Sequence, residues 1–424
     1  MSTPLRVLLA TDSFPPVCGG SGWSTWELMR ALVARGHHVE VLKVEIAAGA
    51  GIDEGHNGPC RVTTFRATAP NIPFVRNVAK NERLWASLET YLTERLAREP
   101  FDILHAQHVM TAVPSIRAGA MTGVPVVTTV RDYWPVCYWS TLIFDPTQDR
   151  LCPECSVRMM SECVKPRAGA ASIAAWSLIP YMRKNLRTKR QTLARAQAVI
   201  AVSTAIARDL RARAPELAVT SVYTIPNAVD MSALEAVYHD TTRPTGDEYV
   251  LYAGKLAPNK GVQFLLPAMQ RAGLRGPLVV VGDGPLRESM EAQARKADID
   301  LRVLGWLDRH AVWRWMRHAT MLAFPSYGPE SLSRVLIEAA ALGVPIAAMD
   351  TGGTRDIISD RVTGLLSADV EAFARDLAEL HGDERLRAAL GAAARLDVHS
   401  RFSAASVAER VEQVYRHLLQ PQAA

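Results

Sequence analysis

The sequence predicts an α/β protein built from two doubly wound, Rossmann-like domains, and three observations carry that expectation. β-rich runs alternate with helical periods almost throughout: LRVLLATD, VEVLKV, FDILHAQ, PVVTTVRD, AVIAVS and SVYTIPN in the first half, then YVLYAGK, PLVVVGDG, LRVLGW, TMLAFPS and PIAAMDT in the second. Many of these runs are continuously apolar, as suits parallel strands covered on both faces by helices. The length of 424 residues, 48% of them hydrophobic, suffices for two sizeable cores.

The alternation lapses near residues 228–248, where AVDMSALEAVYHDTTRPTGDE collects Thr, Pro, Gly and Asp as a linker does. An N-terminal domain over 1–228 and a C-terminal domain over 245–400 follow. The closing segment FSAASVAERVEQVYRHLLQ carries Val407, Val411, Val414, Tyr415 and Leu418 at helical spacing, with Ser403 as N-cap. It predicts one amphipathic helix over 403–420 that packs back on the first domain. In open α/β sheets ligands bind beyond the carboxyl ends of the strands, so two such domains facing each other would form a cleft.

Lys plus Arg number 48 and Asp plus Glu 43, a scattered excess of +5 that argues against nucleic acid and is compatible with anionic small molecules or membrane surfaces. The start MSTPLRVLLATD runs directly into a strand without a leader pattern, which gives a cytoplasmic expectation. The longest apolar stretch, Ala171 to Met182, falls short of the roughly 20 residues a membrane span needs.

Three strand-end segments of the second half share one chemical preference. YAGKLAPNKGV offers Lys255 and Lys260 about a turn with Gly254 and Gly261, and VVVGDGPLRE offers Gly282, Asp283 and Gly284, where a ligand can approach the backbone. In SYGPESLSRVLIEAAALGVPIAAMDTGG, Pro329 and Ser331 mark an expected helix start that leaves the amides of about Leu332 to Val335 without intrahelical acceptors. Two lysines and a helix N-terminus together suit a diphosphate. Each part alone also fits an ordinary turn, and Arg334 one turn before Glu338 supplies an i,i+4 partner for that carboxylate.

The pattern GKLxxxKG, then VGDGP, then PExLxxVLIEAxxxGxP with DTGGT behind it, resembles the nucleotide-binding domain of retaining glycosyltransferases of family 4, which have the GT-B fold. The resemblance covers about residues 249 to 367 and implies transfer of a sugar from a nucleoside diphosphate sugar, a UDP-sugar foremost, with retention and without a required cofactor or metal. It implies that Glu330 approaches the donor sugar, that Ser333, Arg334 and Val335 offer backbone amides to phosphate, and that Glu338 accepts the ribose hydroxyls. Lys260 matches the family residue, and Lys255 stands where the family often has arginine. Gly282 and Gly284 complete the expected donor loops.

In the first half, TDSFPPVCGGSGWSTWELMRAL places Gly19 and Gly20 between a strand and a helix, as the family does near donor phosphates and acceptor, although the loop is not GxGxxG and also fits a tight turn. FDILHAQH places His105 and His108 after a strand, and PVVTTVRDYWPVC places Arg131 and Asp132 after the next. Relatives commonly show His-Asp at the latter position, so His108 or Arg131 is expected to supply the sugar contact, with Asp132 beside it. Ser203 and Asn227 resemble family positions near the cleft.

Four of six cysteines cluster: Cys137, Cys152, Cys155 and Cys163, with CPEC as a CxxC. Thiolates at this spacing could hold a structural zinc, the alternatives being reduced thiols or a Cys152–Cys155 disulfide. Downstream, Arg183, Lys184, Arg187, Lys189, Arg190 and Arg195 form a basic segment suited either to solvent or to an anionic lipid surface. With relatives that build glycans on lipid carriers, it gives the expectation of a glycan or lipid-linked acceptor and of peripheral contact at the inner membrane face. A non-catalytic nucleotide-sugar-binding subunit, a sugar-nucleotide epimerase and an NAD-dependent oxidoreductase stand as alternatives. The oxidoreductase is weakened by Arg287 in GDGPLR, where a dinucleotide fingerprint has its third glycine.

Overall fold

In the computed structural model, which describes residues 3–16, 18–72, 75–145, 150–169 and 172–420, the chain divides into two units. One comprises Met1–Ser140, Trp176–Ala228 and Ala404–Ala424, the other Thr141–Ala175 and Val229–Ser403. In chain order the strands are β1 (Arg6–Thr11), β2 (His38–Ile46), β3 (Gly51–Asn57), β4 (Cys60–Ala67), β5 (Ile103–Ala106), β6 (Val126–Val130), β7 (Ile143–Asp145), β8 (Arg150–Leu151), β9 (Ala198–Ala201) and β10 (Val222–Thr224). They continue as β11 (Val250–Ala253), β12 (Leu278–Val281), β13 (Leu301–Gly305), β14 (Met321–Phe324), β15 (Ile346–Met349) and β16 (Leu365–Ser367).

The first unit holds an eight-stranded sheet in the order β10-β9-β6-β5-β1-β2-β4-β3. All neighbours pair parallel except β3 with β4, which closes that edge as an antiparallel hairpin. The order reverses between β1 and β5, so the ends of those two strands frame the crevice where such sheets bind ligands. β3 gave no signal in the sequence because GIDEGHN is almost wholly exposed and carries little apolar content, and β4, CRVTTFRA, is mostly half-buried and has no unbroken apolar run.

The second unit holds a six-stranded sheet, β13-β12-β11-β14-β15-β16, parallel throughout. Counted from its own first strand, this is the 3-2-1-4-5-6 order of a dinucleotide-type sheet. β11, β12, β14 and β15 are buried at every position, which accounts for their unbroken apolar runs. Helix starts here follow local chemistry: Asp308, Asp369 and Asp383 each accept a hydrogen bond from the backbone N–H three residues on. The interdomain stretch is less open than its composition suggests, since Asp230 caps a helix over Met231–Tyr238.

The helix Ala404–Leu419 follows Glu384–Phe402 with Ser403 between them. It lies on the helix Gly20–Ala34, and Val407, Ala408, Val411, Val414 and Tyr415 enter the same core as Leu5, Val7, Leu9, Leu28 and Leu32. Its second attachment is ionic. Glu412, 5% exposed, meets Arg35 Nε at 2.6 Å, Arg416 Nη2 at 2.7 Å and His37 Nε2 at 3.4 Å. His37 Nδ1 accepts from the Leu5 N–H at 3.1 Å, so the ring's proton sits on Nε2 and faces Glu412.

Burial pushes the Glu412 carboxyl up, but the Arg35, Arg416 and His37 bonds outweigh it and bring it down to about 2. Its stabilising contribution is therefore present above the ordinary value of 4.5 and is lost as pH falls toward about 2. Glu412→Gln should lower stability by about 2 kcal/mol at neutral pH. Urea midpoints of the two chains should converge between pH 4.5 and about 2, where the native carboxylate also protonates.

Candidate functional site

The second unit collects charged residues at the switch point of its sheet, beyond the adjacent ends of β11 and β14. After β11, the turn Pro258–Lys260 brings Lys260 back toward the loop that follows β14. Gly261 permits this, because at φ +67 a Cβ would stand 1.8 Å from the Pro325 carbonyl oxygen. Lys260 Nζ then lies 2.5 Å from Glu330 Oε1, and the Ser326 hydroxyl donates to the same oxygen at 2.5 Å. The segment after β15 supports this loop: the Gly353 N–H donates to Glu330 O at 2.7 Å, and the Thr351 hydroxyl to Gly328 O at 3.2 Å.

Gly282 and Gly284 lie backbone to backbone against the loop after β11. At Gly282, φ +143, a Cβ would meet Gly254 O at 1.9 Å, and its N–H donates to Gly305 O at 2.8 Å. Lys255 extends an exposed side chain from the same turn, whose carbonyl accepts the Tyr252 hydroxyl at 2.9 Å.

The helix expected near Ser331 begins later, at Arg334, with Ser333 as N-cap and no side-chain cap bond. The loop up to Ser333 is held instead by its bonds to Asn259 and Gly353, so the first-turn amides belong to Arg334 onward. Glu338, 7% exposed, accepts from Arg334 Nε at 2.7 Å, with Arg309 Nη2 at 3.9 Å. Arg309 escaped the sequence analysis because it stands on the helix after β13, distant from the motif in sequence. Its guanidinium also stacks over Trp313, 4.2 Å from the ring centroid. Val335 follows in the first turn.

The first unit gathers a second cluster at its own switch point. His108 N-caps the helix Val109–Thr122, and its Nδ1 lies 3.0 Å from Asp12 Oδ1 and 3.2 Å from Thr11 Oγ1, both at the end of β1. Burial raises the Asp12 carboxyl, but the charge and hydrogen bond of His108 and the Met110 amide bring it below the usual range. Asp12 gave no sequence signal, being a lone carboxylate in TDSF.

Asp132, after β6, accepts from the Trp134 N–H at 2.8 Å, and burial raises its carboxyl. Lys189, 4% exposed on the helix Ile179–Leu193, is brought down to about 8 by burial against the opposing charge of Asp132. Lys189 was expected on an exposed basic face. It turns inward there, and Arg190 Nε donates to Pro135 O at 2.8 Å, so the exposed cations of this segment are Arg183, Lys184, Arg187 and Arg195. Arg131, 9% exposed, bonds Asn227 Oδ1 and Gln107 Oε1 through its guanidinium.

His105 is satisfied within the fold, with Nδ1 2.6 Å from the Tyr415 hydroxyl and Nε2 2.7 Å from Thr129 Oγ1, and burial pushes it down to about 3. Ser203 caps the helix Thr204–Arg213. Gly19 and Gly20 form the exposed start of the helix Gly20–Ala34, whose N-cap has no side-chain bond.

Cys137 falls in the first unit and Cys152, Cys155 and Cys163 in the second, and the Cys152 thiol donates to Glu154 O at 2.8 Å. Among the described residues no group of three or more His, Cys, Asp or Glu side chains is placed to hold a metal ion. Residues 146–149 of this insertion, and Ala171 of the apolar stretch, lie outside the described residues. No helix among the described residues is long and apolar enough to cross a membrane.

The family model for Glycosyltransferase Family 4 matches residues 18–233, and that for Glycosyl transferases group 1 matches residues 238–397. The chain is 33% identical over 168 residues to the 2-deoxystreptamine N-acetyl-D-glucosaminyltransferase of Niallia circulans, over 38% of this chain and 43% of that protein. It is 31% identical over 197 residues to the phosphatidyl-myo-inositol mannosyltransferase of Mycolicibacterium smegmatis, over 45% of this chain and 50% of that protein. The chain thus spans about half the length, or less, of these curated relatives. A longer match, 25% identical over 413 residues, reaches 89% of this chain and 86% of the D-inositol 3-phosphate glycosyltransferase of Jonesia denitrificans.

Among solved structures, sucrose-phosphate synthase from Thermosynechococcus elongatus aligns with a TM-score of 0.73 at 20% identity, over 98% of this chain and 99% of that one. Anabaena HepE in complex with UDP aligns with a TM-score of 0.67 at 18% identity, over 97% and 100%. At these identities the likeness establishes the fold.

The packing of the Lys260 turn gives a direct test. Gly261→Ala combines a left-handed φ with a collision against Pro325, whereas Gly273→Ala, φ +72, meets nothing within 4 Å. The second should cost about 1 to 2 kcal/mol, the backbone term alone. Gly261→Ala should lower the thermal midpoint by clearly more, as differential scanning calorimetry would record.

Proposed function

Because the chain belongs to glycosyltransferase family 4, we propose that it transfers a sugar from a nucleoside diphosphate sugar, bound by the second unit, to a hydroxyl of an acceptor bound by the first. The observation that carries this is the grouping of Lys260, Glu330, Arg334 and Glu338 at the switch point of a 3-2-1-4-5-6 sheet. Lys255 and Lys260 neutralise the diphosphate, and the amides from Ser333 to Val335 and the glycine loops at Gly282 and Gly284 let it approach the backbone. Stabilising the negative charge that grows on the departing diphosphate lowers the barrier, which a metal-free site can do with fixed cations and amides.

Glu330 faces the donor sugar. A carboxylate accepts two hydroxyls of a vicinal diol at once, and Glu338, steadied by Arg334 and Arg309, is suited to the ribose. On the first unit, Gly19 and Gly20 lie toward phosphate and acceptor, His108 and Asp132 contact the reacting sugars, and Arg131 holds Gln107 and Asn227 in place behind them. UDP is the favoured nucleotide, in keeping with the UDP bound to the Anabaena structural neighbour. Cyclitol, aminocyclitol and inositol-lipid acceptors enter as candidates from the names of the relatives.

Calorimetric titration with UDP, GDP and ADP should show one of them binding, with Glu338→Ala weakening it about 10- to 100-fold. Unchanged affinity would assign the Arg334–Glu338 pair to the fold alone. Turnover of UDP-, GDP- and ADP-linked glucose, mannose and N-acetylglucosamine is then measured as nucleoside diphosphate release, against D-inositol 3-phosphate, 2-deoxystreptamine and phosphatidylinositol. Binding without turnover on any pair would favour a non-catalytic subunit.

Arg183, Lys184, Arg187 and Arg195 are exposed on or beside one helix and suit an anionic lipid surface. Co-sedimentation with phosphatidylserine vesicles should fall with rising salt, and should fall again in a chain with these four replaced by glutamine. Equal sedimentation of both chains would place the lipid contact elsewhere.

A further inference from the structure

The end of the second unit's sheet opposite its switch point holds a charged cavity that sugar transfer does not use. Its volume is about 300 Å³, and it opens at the amino ends of β11, β14 and β15, where Glu248, Thr320 and Pro345 stand shortly before those strands. Lys260 and Glu330 lie past the carboxyl ends of β11 and β14, so the length of a four-residue strand, about 13 Å, separates the two places.

Three arginines line the cavity from different elements. Arg243 comes from the segment between the helix Met231–Tyr238 and β11, Arg317 from the end of the helix Arg309–Arg317, and Arg387 from the first turn of the helix Glu384–Phe402. Elsewhere in this unit arginines are matched with carboxylates: Arg271 with Glu371, Arg302 with Asp247 and Asp300, Arg361 with Glu379, and Arg401 with Asp397. Among the described residues, none of the three cavity arginines has such a partner, and the groups that hold them are neutral. Arg317 Nε donates to Tyr238 O at 3.0 Å while its guanidinium stacks over the Tyr238 ring, 4.6 Å from the centroid. Arg387 Nη1 donates to Leu380 O at 2.7 Å and to His381 O at 2.8 Å. Bonds to carbonyls fix a guanidinium in place and leave its charge uncompensated.

His318 registers the resulting field. Burial first, and then the positive charges of Arg317 and Arg243, push its imidazole below the usual range against the opposing pull of Asp240. Its Nε2 is buried and has no hydrogen-bond partner among the described residues. A buried polar atom without a partner, set among uncompensated cations, is costly until a ligand supplies the missing contact. Glu248 and Glu384 also line the cavity, but both are exposed and neither is within ion-pair distance of its arginines, so water and salt screen their charge.

We infer that this cavity binds a phosphate monoester. Such a group carries nearly two negative charges and three terminal oxygens, and planar guanidiniums meet it through paired N–H donors. A carboxylate brings one charge and two oxygens, too few for three guanidiniums approaching from separate elements. The same chemistry is presented by a small free ester and by the headgroup of a phosphatidic acid. The site is independent of the donor reading, since its cations belong to the other end of the sheet and both places can be filled at once.

Calorimetric titration of the full chain with glucose 6-phosphate and with the soluble short-chain dihexanoyl phosphatidic acid tests the assignment. Lys255 and Lys260 can also attract phosphate, so the titration is made on Lys255→Ala/Lys260→Ala, in which a single equivalent should still bind. Adding Arg243→Gln to that chain should weaken binding about 10-fold, and adding Arg387→Gln as well about 100-fold. The Arg243 side chain is exposed, so Arg243→Gln should leave the thermal midpoint unchanged, and circular dichroism reports whether the variant with Arg387→Gln folds. Tighter binding of glucose 6-phosphate assigns the cavity to a free ester, and tighter binding of the phosphatidic acid assigns it to a lipid headgroup. If neither ligand binds the lysine variant, or if binding there is unchanged by Arg243→Gln, the cavity is not a phosphate site. Those outcomes leave the transferase reading untouched, because nucleoside diphosphate binding and turnover are measured separately.

Discussion

The arrangement of polar residues depends first on parallel strand pairing. Parallel neighbours cannot be joined by a tight turn, so the strands of the six-stranded sheet are joined by crossovers, and residues far apart in sequence are brought side by side at one edge of the sheet. β11 and β14 pair through Val250 with Met321 and Leu251 with Leu322, which sets the loop bearing Lys260 against the loop bearing Glu330. The same rule in the first unit aligns β1 with β5 and brings Asp12 to His108. The interior strands are closed to water, so within the sheets charge collects at the strand ends.

At those ends the charges are paired with one another. Lys260 is paired with Glu330, and Arg334 with Glu338, where the two side chains of the latter pair are each 9% exposed. Partly buried ions require partners, and the fold supplies them from within each loop cluster. A charged ligand entering the second unit therefore exchanges one set of ionic contacts for another and does not simply add new ones. The net gain in affinity is smaller than a count of contacts would suggest.

Much of the fold was legible in the sequence because burial on both faces leaves an unbroken apolar run, as in LVVV at β12 and IAAM at β15. The edge hairpin β3–β4 was not, since β3 is exposed and the half-buried β4 has no such run. The candidate loop residues Lys260, Glu330 and Glu338 stood out because they sit in two short stretches of distinctive residue types, GKLAPNKG and PESLSRVLIEA. Arg309 and Asp12 were not, because their meaning comes from through-space neighbours on other elements. The helix start was placed too early for a related reason: Pro329 and Ser331 signal a cap, but tertiary bonds from Gly353 and Asn259 keep that stretch extended until Ser333. Lys189 shows the same limit, since spacing along the chain does not report which way a side chain turns.

The helix Ala404–Leu419 has a consequence for how the chain is made. Val407, Val411 and Tyr415 complete a core whose other members begin at Leu5, and Tyr415 also satisfies the buried His105. A ribosome synthesises the whole second unit between those two sets of residues. The first unit thus waits, with an apolar face on Leu28 and Leu32 lacking its cover, until the last residues of the helix have emerged. Domains generally fold in order of synthesis, whereas here the residues that complete the first unit's core are made after all those of the second.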